Sequence, residues 1–336
     1  MNETIDVSIP PVRLWFVDVG QGDCTLVVDT ETKRALLVDC PSWHVDRVRE
    51  LLHKENASLD TVIVTHWDLD HYGGAARLAV DCSAARVFYN HETLFAADSR
   101  QSALIRTTLK HFRNVPRSDE VLNNAEAGQK GSIGHFSWEV LAPTHAELTA
   151  AYSEGKRNVA SAVIDIHVPG LRILIGGDAV GATWHRLLGE RDLVSNVLRW
   201  PHHGAELAGD NDGNLREAVL TAVNPDIVVI STGTSNRYGH PAHLVVSDAV
   251  SHGASVLCTQ VTPGCFGYLS RAERNSDDGQ SVVSQISSPH CAGTIEVECW
   301  AHTHTVAPSQ ANHRERVLSW PQPLCAAHKS HNNPTG

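Results

Sequence analysis

Between Thr65 and Gly74 the chain reads Thr-His-Trp-Asp-Leu-Asp-His-Tyr-Gly-Gly, which gathers His66, Asp68, Asp70 and His71 into six residues. Two imidazoles and two carboxylates packed this densely are costly to bury, because each polar group needs a partner and each carboxylate a counter-charge. A divalent cation supplies both. The two-residue steps from His66 to Asp68 and from Asp68 to Asp70 let a turning loop converge on two adjacent metal positions, the second served by Asp70 and His71. Mixed nitrogen and oxygen donors suit zinc and manganese, the carboxylate share leaning toward the harder ion. The competing reading makes Asp68 and Asp70 plain helix caps, but a cap has no need of two flanking histidines.

The elements around the cluster place it. Val62-Ile63-Val64 reads as a buried strand and Gly74 to Val80 as a helix, so the cluster lies on a strand-to-helix loop. Upstream, Val12 to Val19, Cys24 to Val28 and Ala35 to Val38 read as antiparallel strands, with a tight turn at Gly20-Gln21-Gly22-Asp23. Trp43 to His53 has helical spacing. Downstream, residues 90 to 132 read as a polar insertion, helical from His91 to Phe112. Strand character returns at Phe136 to Leu141, Val159 to Val168 and Arg172 to Ile175, which runs into Gly176-Gly177-Asp178. A helix over Val180 to Leu188 leads to a strand Val197 to Trp200 and Pro201-His202-His203-Gly204. A helix over Leu215 to Ala222 leads to a strand Asp226 to Ile230 and Ser231-Thr232-Gly233. Each polar cluster follows a strand, and the order predicts an α+β fold, an αββα sandwich with its sites on loops at one edge.

Past Gly264 the pattern loosens: Ala272 to Ser288 reads as a loop, Thr294 to Trp300 as one more strand, and the tail from Pro308 as poorly ordered. The expected division is a main domain over 1–264 and a small C-terminal extension over 265–336. At 336 residues and 42% apolar composition the chain can bury a substantial core. Neither an apolar leader nor a membrane-length apolar run is present, and the eight cysteines read as free thiols or metal ligands, so a cytoplasmic protein without membrane insertion is expected. The net charge of −11 argues against avid binding of long nucleic acid.

Taken together, Phe16-Val17-Asp18-Val19-Gly20-Gln21-Gly22-Asp23, the His-x-Asp-x-Asp-His-x-Gly-Gly run, Gly177-Asp178, Pro201-His202-His203-Gly204 and Tyr238-Gly239-His240-Pro241 stand here in one order. The chain resembles the metallo-β-lactamase fold, in the branch typified by the C-terminal domain of the competence protein ComEC. The resemblance spans roughly residues 12 to 258. It implies a binuclear metallohydrolase in which His66 and Asp68 hold one metal, Asp70 and His71 the other, and Asp178 bridges them. Of His202 and His203 it favours His203 as the last histidine ligand and leaves His202 as a ligand or a supporting residue. Asp18, Gln21 and Asp23 would lie beside the metals, with Asp18, Asp23 and Asp39 supporting the ligands from behind. Two departures from the wider superfamily stand out: Asp68 replaces a usual histidine, and Asn158 occupies the place of another. The ComEC-like branch shares both, and a first metal held by one histidine would exchange readily.

The resulting expectation is a metal-dependent hydrolase, a phosphodiesterase or nuclease acting through a metal-bound hydroxide on a nucleotide or short nucleic acid. Asp70 and His240 are the expected catalytic residues, and Gln21, Asn158 and Arg237 the substrate-binding ones. His240 and Arg237, with the Ser231-Thr232-Gly233 turn, can hold a phosphate oxygen or protonate a leaving group. Hydrolysis of an amide, lactone or thioester is the alternative within the fold. A non-catalytic, metal-stabilised module that binds a protein partner through the insertion or the C-terminal extension is the alternative outside it. Cys258, Cys265, Cys291 and Cys299, with His290, His302 and His304, form a second cluster that a structural zinc would suit, although its spacings lack the close pairs of a zinc ribbon.

Overall fold

The computed structural model describes residues 10–90, 106–107, 109–110, 113, 122–210, 213–274, 276–286 and 290–326. The first-sheet strands are β1 (Val12–Phe16), β2 (Thr25–Asp29), β3 (Arg34–Val38), β4 (Ser58–Ile63), β5 (Arg86–Phe88) and β6 (Leu122–Asn123). The second sheet holds β7 (Lys130–Ile133), β8 (Phe136–Ala142), β9 (Val163–Val168), β10 (Leu171–Ile175), β11 (Val197–Arg199), β12 (Ile227–Ile230) and β13 (Ser255–Cys258). Strands β14 (Ile295–Trp300) and β15 (Thr303–Ala307) return to the first sheet, whose order is β15-β14-β1-β2-β3-β4-β5-β6, against β13-β12-β11-β10-β9-β8-β7 in the second.

Strand alternation explains the layering. Val12, Leu14 and Phe16 face the second sheet with Val27, Leu36, Ile63, Ile164, Ile173 and Val229, forming the core between the sheets. Their neighbours Trp15 and Val17 point the other way, with Leu26, Leu37 and Val62, under α1 (Val45–Glu55) and α2 (Leu69–Asp81). The outer face of the second sheet is covered by α4 (Gly181–Glu190), α5 (Asn214–Val223) and α6 (His243–Ser251) through Trp184, Leu187, Val219 and Val245. Helix α3 (His145–Glu154) buries only Leu148 and Ala151 in a small satellite core with Ala160. The central strands of both sheets are thus buried on both faces, and the αββα sandwich expected from the order of elements is present.

Several local expectations shift. The first strand ends at Phe16 rather than Val19, because Val17 N–H turns to bond Cys24 C=O at 2.9 Å and opens the loop that reaches α2. Helix α2 begins at Leu69 rather than Gly74, so Asp70 and His71 lie in its first turn. The strand expected over Val159–Val168 is confined to β9, and Arg157–Ala160 forms a 3-10 turn. The region expected as a loop over 272–288 contains α7 (Arg271–Arg274) and α8 (Asp277–Ser284). The tail expected to be disordered from Pro308 carries α9 (Gln310–Val317), N-capped by Ser309 and anchored by buried His313 and Val317. The segment expected as an extension supplies β14, paired with β1 along five residues, and the unforeseen β15, whose polar residues conceal its strand. The expected helix over His91–Phe112 falls largely outside the described residues. No described helix is long and apolar enough to cross a membrane.

Candidate binuclear metal centre

Six loops at the C-terminal ends of β1, β3, β4, β10, β11 and β12 converge on one edge of the sandwich. The loop after β4 is pinned on both sides. Trp67 enters the core, donating Nε1–H to Asn90 C=O at 2.7 Å and meeting Tyr72 and Tyr89 edge-on, which leaves His66 and Asp68 turned the other way. Cys40 binds the first turn of α2 through backbone bonds to His71 C=O and Gly74 N–H, both 2.7 Å. Gly74 is required there, since a Cβ would lie 2.5 Å from Pro41 C=O. The opposite wall is the β1 loop, where Asp23 N–H donates to Asp70 C=O at 3.0 Å.

The seven residues expected as ligands are brought together and divide into two sets about Asp178. Its Oδ2 faces His66 Nε2 at 3.5 Å and His202 Nε2 at 3.6 Å, with Asp68 Oδ2 at 3.4 Å from the same His66 nitrogen. Its Oδ1 faces His71 Nε2 at 3.4 Å and His203 Nε2 at 4.0 Å, with Asp70 Oδ2 at 3.3 Å from the His203 nitrogen. Asp68 occupies the N-cap position of α2 but makes no side-chain cap bond; its carboxylate turns instead to His66 and to Arg157 at 2.5 Å. The plain-cap reading therefore fails for this residue.

Supporting carboxylates fix the rings. Asp39 accepts from His71 Nδ1 at 2.8 Å and from the Thr65 amide and hydroxyl at 2.8 and 2.6 Å. Asp23 meets His203 Nδ1 at 3.2 Å and the buried Arg199 guanidinium at 2.7 Å. With Nδ1 engaged, each Nε2 is aimed at the centre, the orientation that outer hydrogen bonds impose on metal-binding histidines. Asp18 does otherwise than expected: its carboxylate holds Gln260 at 2.9 Å and His290 at 2.6 Å and so braces the β1 loop rather than a ligand.

Charge tells the same story. Burial works against ionisation of Asp68, yet His66 and Arg157 outweigh it and hold the carboxyl down to about 2. Burial likewise disfavours protonation of His71, but Asp178 and Asp39 push it up to about 10. His203 is raised against burial by Asp178, Asp23 and Asp70, and Asp70 and Asp178 are lowered against burial by the facing imidazoles. The carboxylates thus draw cationic partners into a buried space, a role that metal ions would take over with release of protons. Two buried atoms, His66 Nε2 and Asp178 Oδ1, lack a hydrogen-bond partner, a cost that coordination would remove. The donor set fits two divalent cations.

The expected substrate residues are placed unevenly. Gln21 accepts from Gly233 N–H at 3.4 Å, closing the β1 loop on the β12 loop. His240 lies beside His202, with ring centroids 5.7 Å apart, and Tyr238 stacks on its other side at 5.8 Å. Burial, then His202 and His203, push His240 down to about 4, so its ring is neutral at neutral pH, a donor and acceptor rather than a ready acid. Arg237 sits outside this row, its Nη2 bonded to Tyr238 Oη at 3.0 Å. A groove of about 500 Å³ runs along Tyr238, His240, Glu206 and Arg274. Asn158 is not brought in by any recorded side-chain bond among the described residues. Its neighbours reach the centre instead, Arg157 through Asp68 and Ser161 through its hydroxyl, which accepts from Asp178 N–H at 2.8 Å and lies 3.4 Å from His66 Nδ1.

Sequence reasoning missed Arg199, Thr65 and Ser161. Arg199 carried a signal, a lone charge in the apolar run Val197-Leu198-Arg199-Trp200, which requires a buried partner. The second expected cluster also disperses. Cys299 packs between the sheets, His290 serves Asp18, and His302 and His304 lie at the β14–β15 hairpin. Cys258, Cys265 and Cys291 do share one core region.

A two-sheet, helix-flanked sandwich carries paired His/carboxylate sets around a shared aspartate at one edge, a donor arrangement suited to two metal ions. The family model described as the metallo-β-lactamase superfamily matches residues 17–234, and the chain belongs to that superfamily, whose members are in general metal-dependent hydrolases. Recombination protein 2 of Haemophilus influenzae is 27% identical over 265 residues, covering 76% of this chain and 29% of that protein. Competence protein ComA of Neisseria gonorrhoeae is 30% identical over 271 residues, covering 77% and 32%. ComE operon protein 3 of Bacillus subtilis is 23% identical over 273 residues, covering 73% and 31%. The chain thus spans about three tenths of the length of these curated relatives. Among solved structures, the metallo-β-lactamase fold protein YhfI from Bacillus subtilis is 12% identical, covers 74% of this chain and 96% of its own, and gives a TM-score of 0.44. The resemblance to competence proteins of the ComEC type is borne out.

Proposed function

We propose that this chain is a binuclear metal-dependent phosphodiesterase that cleaves a nucleotide or short nucleic acid. The observation that carries the reading is the division of Asp178, one oxygen toward His66 and His202, the other toward His71 and His203, with Asp68 joined to the first set through His66 and Asp70 to the second through His203. These residues would hold zinc or manganese, and two such cations supply Lewis acidity and an activated water. Asp39 and Asp23 keep His71 and His203 in the tautomer that presents Nε2. Neutral His240 offers a hydrogen bond at the rim, and Arg274, which lines the groove, supplies positive charge to an anionic ester, with Arg237 outside it on Tyr238. The names of the relatives, recombination and competence proteins, support a substrate drawn from nucleic acid. The net charge of −11 favours a short one.

The test is turnover of bis-p-nitrophenyl phosphate with added manganese or zinc by the wild type, Asp70→Ala and Asp178→Ala. The expected result is metal-dependent hydrolysis that falls to background in both variants. A wild-type sample holding two metals per chain yet inert on phosphodiesters overturns the reading and turns the search to amides, lactones, thioesters or a binding role.

A further inference from the structure

Away from the aspartate-rich centre, the C-terminal segment gathers sulfur. Cys291 Sγ lies 3.1 Å from His313 Nε2, and one donor atom from each of Cys291, His313 and Cys325 falls within 4.8 Å of the others. Cys258, Cys265 and Cys291 are packed in one core region, with Cys325 against it. Cys258, Cys265, Cys291 and His313 are almost wholly buried, at 1%, 3%, 0% and 3% exposure. Thiols are weak hydrogen-bond donors. Two thiols grouped with a buried imidazole gain little from one another as packed side chains, but supply three of the four donors of a tetrahedral N/S zinc site, and a neighbouring thiol can supply the fourth.

The donors come from separate pieces of chain. Cys258 ends β13, Cys265 sits on the turn after it, Cys291 precedes β14, His313 lies on α9 and Cys325 follows it. We propose that Cys291, His313 and Cys325, completed by one thiolate of the Cys258–Cys265 pair, bind a structural zinc ion that staples the C-terminal segment to the edge of the second sheet. Stapling short segments with little apolar periodicity is what structural zinc does, since the binding free energy becomes folding free energy. The staple also reaches the hydrolytic centre indirectly. Gln260 stands two residues after Cys258 and His290 one before Cys291, the two pair as an isolated bridge, and both grip Asp18 at the foot of the loop that carries Asp23. The zinc therefore holds the platform on which that loop rests. This inference is independent of the substrate reading.

The experiment counts metal in the full chain, purified with a reductant and dialysed against EDTA, by mass spectrometric elemental analysis. Asp178→Ala, crippled at the other centre, is carried alongside the wild type. One zinc per chain is expected to survive in both and to be released by a thiol-binding mercurial. Cys325→Ser is expected to lose it and Cys299→Ser to keep it. Cobalt substitution of the wild type needs no variant to fold, and thiolate-to-cobalt charge-transfer absorption in the near ultraviolet is expected, which a site of imidazoles and carboxylates cannot give. Wild-type protein with no EDTA-resistant zinc and no such absorption overturns the proposal. So does a non-reduced protein in which these cysteines are joined as disulfides.

Discussion

Arg199 offers the sharpest test of how the centre is held. Its guanidinium, 1% exposed, donates to Asp23 at 2.7 Å and to the Thr25 and Ser231 hydroxyls at 2.6 Å each, with the Phe16 ring beneath it. Arg199→Met keeps much of the apolar stem but leaves Asp23, itself 4% exposed at the side chain, without the guanidinium and with only the His203 imidazole beside it. Removing one partner of a buried pair costs about 3–5 kcal/mol, mostly for the charge left behind. In urea, with EDTA present so that metal at the aspartate-rich centre adds nothing, a slope of about 3 kcal/mol per molar converts this to a midpoint lowered by about 1 to 2 M. The second arm is Arg199→Met combined with Asp23→Asn, which removes the stranded charge and is expected to recover at least about 1 kcal/mol over Arg199→Met alone. A single variant whose midpoint moves by less than about 0.3 M refutes the reasoning. A double variant no more stable than the sum of the singles refutes it equally, because the penalty would then not reside in the unpaired carboxylate.

Three further outcomes follow from the geometry. Asp39→Ala frees His71 Nδ1 and should weaken metal binding about 10- to 100-fold, read by competition with a chelating indicator, without emptying the structural zinc site. Gly22→Ala sets a Cβ 2.5 Å from Asp70 C=O at a φ of +133°, so it should lower the melting temperature and weaken metal binding together; a change in neither shows that the β1 loop does not bear on α2. Glu147 closes a capping box with Thr144 and pairs with Arg186 at 3.0 Å, and against burial these partners hold its carboxyl below the usual range. Its contribution is therefore complete above the unfolded value near 4.3 and fades as pH falls through the lower folded one. Glu147→Gln should cost about 1 kcal/mol at pH 7, and the gap from wild type should close in acid, as followed by thermal unfolding across pH 2 to 7.

Legibility in the sequence follows how local each determinant is. His66, Asp68, Asp70 and His71 share one loop and one spacing, so the cluster was readable at once, and the order of elements, antiparallel strands first and then mixed βα units, announced the sandwich. Arg199 and Ser161 act across 176 and 95 residues of chain, on Asp23 and His66, and pattern within a window cannot carry such distances. The cysteine cluster shows the same limit. Cys258, Cys265 and Cys291 were recognisable as a group, but the partners that complete it, His313 and Cys325, lie in a tail whose polar composition hid a helix. Strand β15 stayed hidden because its residues alternate between exposed and half-buried without a strongly apolar face. Its order comes from pairing with β14 alone.

Two histidines that would touch metal, and the aspartate that orients a third, adopt backbone conformations that local preference disfavours. Asp39, His202 and His203 all hold positive φ, at 57°, 52° and 55°. Outside glycine such conformations cost of order 1 kcal/mol each and persist only where surrounding contacts fix them. Those contacts are visible: the Thr65 amide on Asp39, the Gly177 carbonyl accepting from His202 N–H, and Asp23 with the Ser231 carbonyl at His203 Nδ1. Arg199 stands behind both of the last two, reaching Asp23 and the Ser231 hydroxyl at once. A cation that binds the folded arrangement and not the unfolded chain offsets this strain by mass action. Metal affinity and the stability of the β1, β3 and β11 loops should therefore rise and fall together, which is why a buried arginine that touches no metal can govern both.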